Sequence, residues 1–124
     1  MQKISTDKAP KAIGPYSQAI KSGNLIFTSG QIPLDPVSGE IVGSDIQSQA
    51  TQVLKNLSAV LEEGGSSLDL IVKTTCFLAD MGDFIKFNEV YSSFIKNAPA
   101  RSCVAVKTLP KNVLCEVEAI AEIK

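Results

Sequence analysis

The chain has 124 residues, a length typical of one domain that can bury a core of its own. Its 12 Lys and Arg residues nearly balance its 13 Asp and Glu residues and form no basic cluster, so no nucleic-acid partner is expected. The absence of histidine excludes Ser-His-Asp and Cys-His catalysis and the usual zinc and non-haem iron sites.

The cysteines Cys76, Cys103 and Cys115 are odd in number and widely spaced. We therefore expect free thiols in a reducing compartment and a cytoplasmic location. No run of about 18 apolar residues is present, so no membrane contact is expected. The sequence has neither a Gly-x-Gly-x-x-Gly nor a Walker motif, so it shows no cradle for a nucleotide cofactor.

The N-terminal third is predicted to form a β-hairpin. The first dozen residues are polar and are expected to be irregular or to lie at a sheet edge. Gly14-Pro15 then precedes two predicted strands, at residues 16–21 and 25–29. Ser22-Gly23-Asn24 between these strands is a hairpin signal. A loop rich in proline and glycine is predicted at residues 33–43.

Apolar residues at three- and four-residue steps predict a helix over residues 45–63. Ser44 or Asp45 can cap its start, and Gly64-Gly65 can end it. Four further elements are predicted in order: a strand at 72–79, a helix from Asp80 or Asp83 to about 96, a strand at 101–107 and, after a turn at 109–112, a strand at 113–123.

The resulting order, β-β-α-β-α-β-β, predicts one α+β domain over residues 1–124, with two helices on one face of a mixed sheet. Two helices can cover only one face of such a sheet. The other face is expected to be partly apolar, and an exposed apolar face usually has a partner. We therefore predict a homo-oligomer with a site near the subunit interface.

Arg101 is the strongest candidate for a functional group. It begins an apolar strand, on the same face as Cys103, and its planar fork of donors suits a carboxylate ligand. An ion pair with Glu116 or Glu118 would explain the same residue without any ligand. These two acids share one face of the last strand and could supply a general acid or base, although a solvated strand face has the same pattern.

Five other residues are candidates for a binding site, and each has a structural alternative. Ser29 and Gly30 follow a strand and could present a hydroxyl and backbone amides to an anion, or simply form a turn. Tyr16 could offer its phenol to a site or be a half-buried aromatic residue. Asn88 lies on the apolar stripe of the second helix, where a structural hydrogen bond is the alternative. Cys103 could line the site or act as a small apolar residue.

Several segments together resemble one known family. They are, in order, residues 13–19 (IGPYSQA), 28–33 (TSGQIP), 72–75 (VKTT), 99–104 (PARSCV) and 116–121 (EVEAIA). The combination strongly resembles the RidA/YjgF family of reactive intermediate deaminases over nearly the whole chain. The segment from Tyr91 to Pro99 is shorter than in familiar members, which bears on the rim of the cleft and on substrate range.

The resemblance implies a chorismate-mutase-like fold and a homotrimer in which three sheets form a central barrel, with sites in clefts between subunits. It also implies hydrolysis of 2-aminoacrylate and 2-aminocrotonate to 2-oxo acids and ammonia without a cofactor or metal. Small 2-imino and 2-oxo acids are then the expected ligands. The alternatives are a 2-oxo acid sensor without turnover, an RNA-acting translation inhibitor and a structural or chaperone-like trimer.

By the same resemblance, Arg101 is the carboxylate clamp and Glu116 orients the attacking water. Tyr16 helps to close the cleft, and Ser29 and Gly30 contact the ligand. Cys103 lines the pocket, and Asn88 matches a position near the site.

Overall fold

A computed structural model describes all 124 residues and contains six strands and two α-helices. The elements are β1 (Gln2–Ile4), β2 (Ala19–Ser22), β3 (Leu25–Thr28), α1 (Ile46–Glu63), β4 (Ile71–Leu78), α2 (Phe84–Phe94), β5 (Ala100–Ala105) and β6 (Cys115–Glu122). The predicted order of helices and strands is confirmed, and β1 is added at the front.

The strands form one mixed sheet in the order β1-β2-β3-β6-β4-β5. Only β4 and β5 are parallel, because α2 connects them as a crossover helix. The short strand β1 forms the other edge by pairing with β2. Of the two alternatives predicted for the first dozen residues, the position at a sheet edge is confirmed for Gln2–Ile4. The strand is absent from the predicted order of elements because three residues carry too short a pattern to identify it.

The core lies between the sheet and the helices. Strand β6 alternates strictly: Cys115, Val117, Ala119 and Ala121 are buried, and the residues between them are more exposed. The buried stripe of α1 packs on this face and includes Val53, Leu54, Leu57, Val60 and Leu61. Both helices therefore cover the same face of the sheet, as predicted for this α+β domain.

Helix α1 begins and ends as its sequence signals predict. The carboxylate of Asp45 accepts a hydrogen bond from the amide of Ser48 at 2.8 Å, which caps the first turn. At the other end, Gly65 adopts a φ of 84°, a left-handed conformation that favours glycine. Neither helix is long and apolar enough to span a membrane.

Several predicted boundaries shift by a few residues. Strand β2 begins at Ala19 rather than at Tyr16, because the buried side chain of Gln18 instead binds the N-terminal segment. Its amide nitrogen donates to the carbonyl oxygens of Thr6 and Pro10, at 3.1 and 2.8 Å. Helix α2 ends at Phe94, before the backbone becomes extended at the next residue.

The sheet face away from the helices is uncovered in the single chain and carries apolar side chains. Phe27 is 40% exposed and Val104 is 46% exposed. Half-buried Phe77 and Ile120 lie on the same face, and so do Glu116 and Glu118. This mixture of apolar and acidic side chains is the surface on which a second copy would pack. The predicted oligomer stays a prediction.

Candidate active site

Arg101 lies beneath α2 at the edge of the sheet. Its backbone is in register with Thr74 of β4, and its side chain is half-buried. Nη1 donates a hydrogen bond to Oδ1 of Asn88 at 2.8 Å, and Cζ lies 4.8 Å from the centre of the Tyr91 ring. The hydrogen-bond partner is therefore a neutral amide rather than Glu116 or Glu118. The remaining N–H donors of the guanidinium stay available to a ligand.

A buried hydrogen bond supports this guanidinium from below. The hydroxyl of Tyr91 and Oγ1 of Thr74 are 2.7 Å apart, and Thr74 is fully buried. Burial raises the pKa of Tyr91, which keeps its hydroxyl neutral beside the cation. Cζ of Arg101 also lies 5.5 Å from the centre of the Phe84 ring. Two aromatic rings and the hydrogen bond to Asn88 therefore hold the guanidinium in place.

A cavity of about 460 Å³ opens beside Arg101 between the end of α2 and the start of β5. Asn88, Tyr91 and Ile95 form part of its wall together with Arg101. A cation that is partly desolvated and fixed at the wall of a cavity is suited to binding a small anion. The predicted candidates Arg101 and Asn88 thus lie together.

Glu116 lies on the other face of the sheet. Its backbone pairs with Phe77 of β4, while its neighbours Cys115 and Val117 point into the core. Burial of the carboxyl group raises its pKa, and repulsion from Glu118 adds to the shift. A carboxylate with a raised pKa is better matched to proton transfer near neutral pH than an ordinary surface acid.

Gly30 leaves the space in which the Glu116 carboxylate lies. A Cβ atom at this position would overlap Oε2 of Glu116, so any larger residue would displace the acid. The loop is held in place by its neighbour Gln31, which exchanges two backbone hydrogen bonds with Val117 at 2.8 and 3.1 Å. Glycine is needed at position 30 because the Glu116 carboxylate lies against its backbone, and not because the backbone adopts an unusual φ angle.

Ser29 and Tyr16 lie near this loop. The hydroxyl of Ser29 donates to the carbonyl oxygen of Ser17 at 2.6 Å, so its lone pairs remain able to accept from a ligand. Tyr16 is 53% exposed, and its hydroxyl accepts a hydrogen bond from the amide of Ile13 at 3.4 Å. Tyr16 and Gly30 both line a second cavity, of about 360 Å³.

Cys103 follows Arg101 on the same face of β5 but lines neither cavity. Burial raises the pKa of its thiol, and the charge of Arg101 opposes this only in part. A protonated thiol is a poor nucleophile. It packs against the core, where Cys76 is its register partner on β4.

The candidate residues therefore form two groups. We call Arg101 and Asn88 the arginine half-site, and Glu116 and Gly30, with the adjacent Ser29, the glutamate half-site. Tyr16 shares a cavity with Gly30, but Glu116 does not line that cavity. The arginine half-site lies on the helix-covered face and the glutamate half-site on or beside the uncovered face. Side chains on opposite faces of one sheet cannot contact the same small ligand, so a single chain cannot bring both halves to one substrate.

The sequence reasoning missed the residues that hold these groups in place. The position of Tyr91 in the second helix predicts an apolar contact, and nothing in the sequence pattern indicates its hydrogen bond to Thr74. Asn56, buried in α1, donates to the carbonyl oxygens of Ile32 and Leu34 at 3.1 and 3.0 Å and so anchors the loop after Gly30. An amide among the apolar positions of a helix was the available signal.

Comparison with known proteins identifies the family. The family model described as Endoribonuclease L-PSP matches residues 6–123. A RutC family protein of Pyrococcus abyssi is 58% identical over 119 residues, which cover 95% of this chain and 94% of that protein. The crystal structure of RidA from Psychrobacter is 43% identical, has a TM-score of 0.95, and the match covers 99% of this chain and 100% of that one. The chain belongs to the RidA/YjgF family.

Another similar solved structure is that of E. coli TdcF with bound serine. It is 45% identical to this chain, has a TM-score of 0.95, and the match covers 100% of both chains. The likeness extends over the whole fold, so the chorismate-mutase-like α+β architecture is confirmed for this RidA-family protein. No group of three or more Cys, Asp or Glu side chains is arranged to hold a metal ion.

Proposed function

We propose that this protein hydrolyses reactive 2-enamine and 2-imine acids, such as 2-aminoacrylate and 2-aminocrotonate, to 2-oxo acids and ammonia, with no cofactor. The observation that carries the proposal is the guanidinium of Arg101, which is held by Asn88 and two aromatic rings and opens to a cavity. Such a fork binds a carboxylate through two parallel hydrogen bonds. Membership of the RidA/YjgF family supports the same class of role.

The reaction needs little beyond positioning and proton transfer. The enamine tautomerises to an imine, water adds to the imine carbon, and ammonia leaves as the carbonyl group forms. Glu116 accepts a proton from the attacking water and returns it to the departing nitrogen. Correct positioning of the reactants contributes several kcal/mol, and a placed acid–base group contributes roughly 10²–10⁴-fold.

The active site is completed by a second copy of the chain. Arg101 and Glu116 lie on opposite faces of their own sheet, so the carboxylate clamp and the base come from different subunits. A closed ring of copies repeats this pairing at every interface. We assign a homotrimer whose sheets line its centre, and the apolar side chains of Phe27 and Val104 on the uncovered face support burial there.

The direct test couples a serine or threonine dehydratase to this protein and follows decay of the enamine in the ultraviolet. Added protein should accelerate decay and release ammonia in step with the 2-oxo acid. The matched control is Glu116→Gln, which keeps the shape of the side chain and removes the base. We expect this variant to slow turnover more than it weakens binding of 2-oxobutanoate. An unchanged rate of decay in the presence of wild-type protein would rule out the proposed reaction.

The acid limb of the pH profile should depend on Glu118. Burial and the charge of Glu118 both raise the pKa of Glu116, so the carboxylate form is lost at a higher pH than for an ordinary glutamate. Activity should therefore fall as pH decreases through this raised pKa. Glu118→Gln removes the repulsion and should move the acid limb to lower pH. The measurement is kcat against pH for both proteins, and a shift to higher pH would contradict the assignment of Glu116 as base.

The description of the family model as an endoribonuclease makes cleavage of RNA the second candidate function. The net charge of −1 at pH 7 gives little attraction to a phosphate backbone. RNA cleavage by the pure protein that disappears in Arg101→Ala would favour this candidate over imine hydrolysis.

A further inference from the structure

The cavity beside Arg101 carries a second cation. Lys96, two residues beyond the end of α2, lines the same cavity of about 460 Å³. No acidic side chain is among the residues that line it. Tyr91 and Ile95 supply the apolar part of its wall. The cavity is therefore lined by two cationic residues and by no acidic one.

The cavity is also larger than a small imino acid needs. In the single chain, before the second subunit that the proposed site requires is added, its volume lies within the range of about 300–1,000 Å³ that is typical of sites for much larger ligands. A ligand whose 2-carboxylate binds Arg101 leaves room for a side chain that extends toward Lys96. The polarity of that region favours a side chain with a negative end.

The segment that carries Lys96 is held in a defined conformation. The side-chain amide of Asn97 donates to the carbonyl oxygens of Asp69 and Ile71, at 3.1 and 3.0 Å. Ala98 follows with a φ of 49°, a left-handed conformation that a residue other than glycine keeps only where its surroundings hold it. The backbone from which Lys96 extends is thus held to the sheet, so its exposed side chain starts from a fixed point at the edge of the cavity.

We propose that Lys96 is a specificity-determining residue that binds a second carboxylate, so that the site takes 2-imino dicarboxylic acids in addition to monocarboxylic ones. The inference rests on the proposed function, because it assigns the 2-carboxylate to Arg101. The chemistry is unchanged: a 2-imino dicarboxylate and water give a 2-oxo dicarboxylate and ammonia. Lys96 forms no covalent bond and acts only on binding.

The test measures binding of the stable 2-oxo products by titration calorimetry. 2-Oxoglutarate and oxaloacetate serve as dicarboxylates of two lengths, and 2-oxobutanoate serves as the monocarboxylate. Lys96→Met should lower the affinity for a dicarboxylate relative to the monocarboxylate by about 1.5- to 5-fold, the strength of a solvent-exposed ion pair. Lys96→Glu should lower it further. Lys86→Met, at an exposed lysine of α2 outside the cavity, is the matched control and should leave the ratio unchanged.

Salt provides a second readout, since the affinity for the dicarboxylate should fall more steeply with ionic strength than that for the monocarboxylate. Equal effects of Lys96→Met on both classes of acid, or no binding of either dicarboxylate to wild-type protein, would overturn the inference. Binding of a dicarboxylate that depends on Lys96, in a protein that hydrolyses no imine, would support the inference and refute the proposed reaction.

Discussion

Two inactive variants, Arg101→Ala and Glu116→Gln, are expected to regain activity when they assemble together. Each removes one half-site, and the half-sites lie on opposite faces of a single chain. In a trimer that contains both variants, about one third of the interfaces pair an intact arginine half-site with an intact glutamate half-site. Co-expression with two affinity tags, followed by the enamine-decay assay on doubly purified protein, measures the recovery.

The matched control combines two variants of the same half-site. Gly30→Ala displaces the Glu116 carboxylate, so it is expected to disable the glutamate half-site as Glu116→Gln does. No interface in a mixture of these two variants has an intact glutamate half-site, and no activity should return. A mixture of Gly30→Ala and Arg101→Ala combines one variant of each half-site, so its activity should return. The site would not be shared between subunits in this way if activity returned in a mixture of two variants of the same half-site. The same conclusion would follow if no activity returned in a mixture of variants of different half-sites.

Arg101→Lys is expected to be almost as damaging as Arg101→Ala. The lysine keeps the charge, but it loses the bidentate fork, the hydrogen bond to Asn88 and the stacking on Tyr91. Charge-assisted hydrogen bonds contribute about 1.5–3 kcal/mol each, so loss of two predicts a decrease in kcat/KM of about 10²- to 10⁴-fold. The measurement is kcat/KM for 2-aminoacrylate, with the affinity for 2-oxobutanoate measured in parallel.

A fold control is needed because Arg101 also packs under α2. Asn88→Ala removes one hydrogen bond of the guanidinium and leaves the guanidinium itself, so it should lower kcat/KM less than Arg101→Lys does. Thermal unfolding of each variant then separates loss of the ligand contact from loss of structure. Equal rates of 2-aminoacrylate hydrolysis for wild type, Arg101→Lys and Arg101→Ala would remove Arg101 from the site.

Local sequence signals were sufficient for most of the fold. Helix α1 was predicted from its apolar spacing and from the caps at Asp45 and Gly64-Gly65, and it runs over Ile46–Glu63. The observed boundaries differ from the predicted ones where a side chain binds a distant part of the chain. Gln18 is the clear case, because its bonds to Thr6, Ala9 and Pro10 hold an irregular N-terminal segment against β2.

The residue types of the site were also predictable, but their surroundings were not. Arg101 stands out because a cation at the head of an apolar strand needs a partner. The pattern alone also fits a solvated strand face for Glu116 and a plain turn for Gly30, and the family resemblance is what predicted a site role for both. The alternative of an ion pair between Arg101 and an acid of β6 could be judged only from the structure. It shows Arg101 bonded to Asn88, and it shows that the space beside Gly30 is filled by Glu116.

The sequence by itself determined the order of elements, the family and the residues that can do chemistry, because these depend on spacing and residue type along the chain. The tertiary structure decided which of these residues can meet. Side chains alternate between the two faces along a strand. Arg101 therefore points to the face that the helices cover, and Glu116 points to the opposite face. Which face the helices cover is decided by packing between elements that are distant in sequence.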